Sequence, residues 1–79
     1  MTSINTQTVG ERLRELREAH DWPQWRVGVE LGLESPQSGV AKREAGTVDT
    51  PRAERRLVAS LFNMTEAEAF PMCVEDGGG

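Results

Sequence analysis

The side chains with most chemistry to offer are Gln37, Ser38 and Lys42, in the stretch ESPQSGVAKREAG over residues 34–46. All three end in hydrogen-bond donors, and Gln37 and Ser38 also accept. Wound into a helix, they lie along one side, with Val40 and Ala41 turned inward. Glutamine, lysine and serine at the start of a short helix suit base-pair edges: Gln reads adenine, Lys reads guanine, and Ser reads several bases. They would also suit a plain solvated face. Covalent chemistry has little to work with, because His20 and Cys73 are the single histidine and single cysteine. No internal disulfide can form, and no Cys/His metal set or glycine-rich phosphate loop is visible. An enzyme is therefore not expected, nor a metal or cofactor.

Five helices must position that face. Thr8 and Glu11 have capping-box spacing, and Val9, Leu13, Leu16 and His20 recur on one helical face, predicting a helix over 9–20. Pro23 suits a first helical turn, and Val27 with Leu31 gives an apolar pair over 23–31. Gly28, costly inside a helix, implies close approach of another backbone, and Gly32 suits a left-handed stop. Ser35 before Pro36 predicts an N-cap and a helix over 36–44, ended by Gly46. Thr50 before Pro51 predicts another such start for 51–62, with Leu57, Val58, Leu61 and Phe62 apolar. Thr65 and Glu68 repeat the capping box for a short helix over 66–70, which Pro71 ends. No stretch alternates with period two, so the expected class is all-α, a compact bundle of about five short helices.

The chain has 79 residues, enough for one small domain in which every apolar face should count. Its net charge is −4, which by itself is adverse to a nucleic-acid partner. However, the nine Lys and Arg all fall between Arg12 and Arg56, matched by nine acids between Val9 and Phe62. The excess comes from Glu66, Glu68, Glu75 and Asp76. A neutral body can carry a basic face, while the acidic end tempers non-specific attraction. No apolar run nears the roughly 20 residues of a membrane span, and the first residues lack the basic and apolar stretches of a signal peptide. A cytoplasmic location without membrane association is expected.

The helices over 23–31 and 36–44 are short and joined through a glycine, an arrangement that presents the second helix to a major groove. Here the sequence resembles the Cro/C1-type (XRE-like) helix-turn-helix DNA-binding domain, a lambda-repressor-like bundle. The likeness covers roughly residues 9–70. It is carried by RLRELRE in the first helix, Gln24 near the start of the second, Gly32 at the turn and VAKREAG ending the third. The resemblance implies base reading by Gln37, Ser38 and Lys42, phosphate contact by Gln24, and an Arg17–Glu44 salt bridge between the first and third helices. Arg43 stands where the family is usually apolar, so its stem would cover the core and its head would reach a phosphate. Between Gly32 and Val40 the chain carries two residues more than the common spacing. Pro23 replaces the usual Ser or Thr cap.

Arg52, at the start of the fourth helix, is a further phosphate candidate, because a helix N-terminus attracts anions. Arg55 and Arg56 are balanced between phosphate contact and internal pairing. Trp22 is expected in the core. Trp25 falls on a position the family keeps polar, and either folds over the first helix or packs at an interface such as a DNA sugar–phosphate strand. Phe62, Met64, Phe70, Met72 and Val74 form a late apolar cluster, either closing the core or forming a homodimer seam; the seam is the favoured expectation. The organisation expected is an N-terminal arm over 1–8, a helix-turn-helix domain over 9–70 and an acidic tail over 71–79. The functional expectation is a sequence-specific regulator of transcription, a dimeric (auto)repressor that inserts the helix over 36–44 into a palindromic operator of double-stranded DNA. The alternative is a protein-interaction module, antitoxin-like or a phage-encoded inhibitor, that grips a toxin or a phage or host factor.

Overall fold

The computed structural model describes residues 7–73, so residues 1–6 and 74–79 of the expected arm and tail, Val74 included, lie outside the described residues. Five α-helices follow in order: α1 (Val9–Ala19), α2 (Gln24–Glu30), α3 (Pro36–Ala45), α4 (Arg52–Leu61) and α5 (Glu66–Ala69). A 3-10 turn, Pro71–Cys73, comes after α5, where the sequence suggests only a stop. The described residues contain no strand, and no helix among them is long and apolar enough to cross a membrane.

Both capping boxes form. Glu11 N–H donates to the Thr8 hydroxyl at 3.0 Å, and Thr8 N–H donates back to the Glu11 carboxylate at 3.0 Å. Thr65 and Glu68 repeat the exchange at 3.1 and 2.9 Å. The proline starts differ from expectation. Pro23 and Pro51 stand one position earlier, at the N-cap, and the Ser35 side chain makes no capping bond. Thr50 is buried instead of capping, so it belongs to the packed loop before α4.

One motif ends the first four helices. In each, a residue with positive φ follows the last turn: Asp21 (58°), Gly32 (73°), Gly46 (83°) and Asn63 (58°). The next N–H reaches back across the turn, from Trp22 to Arg17 O, Leu33 to Gly28 O, Thr47 to Lys42 O and Met64 to Ala59 O. These bonds pair the last orphan carbonyls. Asp and Asn tolerate the left-handed region better than other side chains, but less well than glycine.

The core consists of Leu13, Leu16, Val27, Val40, Val58, Ala59, Phe62, Ala69 and Phe70. Every α-helix contributes, so none of them buries its apolar face alone. Leu57, expected inside, is 45% exposed on the outer side of α4. Phe62 and Phe70 are 6% and 1% exposed, and Met64 and Met72 pack against the same core. The expected dimer seam is thus corrected at Phe62 and Phe70, which close the core of one chain, while Met64 and Met72 are half-buried beside them. A small bundle has too little interior to leave two phenylalanines for a partner.

Two glycines set the place of α3. A Cβ on Gly28 of α2 would collide with the backbone of Pro36, and one on Gly10 of α1 would collide with the carbonyls of Arg43 and Glu44. The first contact holds the beginning of α3 and the second its end. The first is legible in the sequence; the second is not. Arg12 fastens α1 to the far side of the bundle: its Nε donates to Ala69 O at 2.6 Å and its Nη2 to Glu68 O at 3.1 Å.

Candidate nucleic-acid interface

The polar residues of α3 divide into two sets. The inner set starts at Glu44, whose side chain is only 6% exposed. Arg17 Nε donates to Glu44 Oε2 at 2.6 Å and Arg17 Nη2 to Oε1 at 3.2 Å. The same guanidinium donates to Trp22 O at 2.9 Å. Gln24 Nε2 donates to Glu44 Oε1 at 3.1 Å. One carboxylate therefore collects α1, the joint after α1, α2 and α3. The Arg17–Glu44 bridge is present as expected. Gln24 differs: its amide, expected on a DNA phosphate, is turned inward to this carboxylate.

Arg43 also belongs to the inner set. Its Nε and Nη2 donate to the two oxygens of Glu54 at 2.7 and 3.0 Å, and its Nη1 donates to Gly39 O at 3.0 Å. Both side chains are largely buried, and the bonds to Glu54 hold the Arg43 guanidinium above its ordinary pKa. The expected phosphate contact of Arg43 is corrected. Its head is spent on joining α3 to α4.

The outer set is different. Gln37, Ser38 and Lys42 are exposed, and among the described residues none makes a side-chain hydrogen bond or ion pair. With about 100° between successive residues, Gln37, Ala41, Ala45, Ser38 and Lys42 share one arc of α3. Ala41 is half-buried and Ala45 exposed, so Ala41 does not turn fully inward as expected. The middle of the arc is thus shallow, with long polar side chains at its margins. Two adjoining depressions flank it. Gln24, Ser35, Pro36, Gln37, Ser38 and Ala41 line one; Arg14, Arg17, Gln24, Ala41, Glu44 and Ala45 line the other.

The remaining arginines vary in commitment. Arg52 is 69% exposed and pairs with Glu66 at 3.0 Å; that bond holds the Glu66 carboxyl below its ordinary pKa. An exposed pair of this kind is weak and can exchange for a phosphate. Arg55 is half-buried, with Nη1 donating to Thr50 O at 2.8 Å and its Nε enclosed without a partner. Of the two roles open to Arg55, the structure shows the internal one. Arg14 is 64% exposed and pairs with Glu18 at 3.0 Å. Arg56 is exposed and makes no ion pair among the described residues. Arg26 lies over Trp22, 3.9 Å from its ring centre, and Trp22 meets Phe62 edge-on at 5.1 Å. Trp22 therefore borders the core as expected, whereas Trp25 is 53% exposed. His20 caps α1 and stacks on Phe62 at 4.2 Å.

The fold is a small all-α bundle, and the candidate site is the outward arc of its third helix. In comparisons with known proteins, no family model matches the chain, nor does any curated protein or solved structure.

Proposed function

We propose that the chain is a sequence-specific double-stranded DNA-binding regulator of transcription, of the Cro/C1-like type its sequence resembles, with α3 as the reading helix. The observation that carries this is the partition of α3. Arg43 and Glu44 are consumed inside the bundle, while Gln37, Ser38 and Lys42 are presented together without internal partners. Side chains that stabilise nothing in the folded chain are available to a ligand. Their types match adenine, guanine and mixed edges, and the alanines between them allow close approach to a thymine methyl. The exposed cations left for phosphate are Arg14, which lines a depression flanking this face, and Arg52 and Arg56 on α4. With Gln24 and Arg43 engaged internally, the set of cations is small. The logarithm of the binding constant should fall with that of salt concentration with a slope of only about −3.

Selection of bound duplexes from a random pool tests this reading. Recovery of one motif supports it, and a palindromic motif with half-sites roughly 34 Å apart would mean two chains per operator. Failure to retain any duplex at low salt, together with co-purification of a basic protein, would put the protein-interaction module in its place.

A further inference from the structure

We infer that Trp25, with Val29 behind it, forms a sequence-neutral clamp on the deoxyribose–phosphate strand bordering the groove that α3 reads; this rests on the DNA-binding reading above. Both residues lie on α2 and are more than half exposed, Trp25 at 53% and Val29 at 55%. They sit four residues apart, on one side of the helix.

The orientation of that side follows from its neighbours. Gln24 bonds Glu44 of α3, Gly28 abuts Pro36 at the start of α3, and Val27 is in the core. Trp25 and Val29 come next round the helix from Gly28, at about 60° and 100°. Arg26 and Glu30 lie further round, away from α3. The apolar strip therefore continues the surface from Gln24 and Pro36, the same residues that line the depression beside Gln37 and Ser38. It borders the reading face and is not an isolated patch.

The size and chemistry of the strip choose its occupant. A stable protein interface buries about 800 Å² on each partner. One tryptophan and one valine offer far less, so neither a second copy nor a folded partner would rest on them alone. A DNA strand already held by α3 needs no such area. The deoxyribose C–H face is apolar and suits the indole ring. The indole N–H is a donor without a partner among the described residues, and a phosphate oxygen is an acceptor. Such a contact positions the protein and carries no base preference.

The test uses the full chain and a random-sequence duplex pool. Wild type, Trp25→Phe and Trp25→Ala are compared by tryptophan emission and by duplex retardation. Trp25 is exposed, so all three should fold alike by circular dichroism. Duplex should shift the wild-type emission and shield it from acrylamide. The change should vanish in Trp25→Phe, where Trp22 alone reports. Trp25→Ala should bind about threefold to tenfold more weakly, on every sequence alike and with an unchanged salt slope. Equal retardation of wild type and Trp25→Ala, with no emission change, would overturn the clamp and leave the DNA-binding reading standing. No retardation by wild type at low salt would overturn that reading, and the clamp with it.

Discussion

The two polar edges of α3 are made from similar residue types and behave in opposite ways. On the inner edge Glu44 takes three hydrogen bonds from Arg17 and Gln24, and Arg43 is forked onto Glu54. On the outer edge Gln37, Ser38 and Lys42 bond to nothing in the described chain. Polarity alone thus does not mark a binding residue. What marks it is whether the fold already supplies a partner. The inner edge fixes where α3 lies, and the outer edge is what is left for the proposed contact with DNA.

If the inner edge is structural, breaking it should have the largest effect. Glu44→Ala leaves the donors of Arg17 and Gln24 facing a buried gap, at a cost of about 3–5 kcal/mol. For a domain this small that is most of its stability, and urea denaturation should show it largely unfolded in buffer. Next comes Gly28→Ala, which forces α2 off the Pro36 backbone. Overpacking of this kind costs about 1–3 kcal/mol. It should lower the melting temperature and weaken DNA binding together, because α3 is displaced.

A smaller effect, of opposite sign, is expected at the helix ends. Asn63→Gly should stabilise the chain by up to about 1 kcal/mol, since glycine enters the left-handed region without strain. DNA binding should not change, because Asn63 is uncharged and lies outside α3. Smallest is the pH effect of the Arg52–Glu66 pair. Arg52 lowers the Glu66 pKa in the folded chain, so this pair stabilises above the ordinary carboxylate range. That contribution is lost as pH falls through the lowered value. Arg52→Ala should lower stability slightly above the carboxylate range and leave the acid end unchanged, so the acid-side loss in a stability–pH profile shrinks.

The same contrast explains how much is legible in the sequence. Local rules work where the partner is close by. The Thr8–Glu11 and Thr65–Glu68 boxes and the left-handed stops at Gly32 and Gly46 are written within a few residues, and all form. Asp21 and Asn63 take the same conformation but look like ordinary polar residues at helix ends. Periodicity identifies α4 as amphipathic without fixing which apolar residues meet α1 and α5, so it puts Leu57 inside and leaves Phe62 and Phe70 for a seam. Arg43 looks free for DNA because its partner Glu54 lies eleven residues on, across a loop. The Arg17–Glu44 pair spans 27 residues and is reached only through the family resemblance. The candidate reading face is legible as residue types. That it is left unpartnered emerges only once the inner edge is seen.

The sharpest measurement is the base preference of Gln37→Ala, taken beside wild type on the motif recovered by selection and on each single-base variant of it. The variant should fold with wild-type stability and lose about 1–3 kcal/mol of discrimination at one base pair while keeping its preference elsewhere. An equal loss of affinity on every sequence, or an unchanged preference at every position, would contradict the claim that the outer edge of α3 reads DNA.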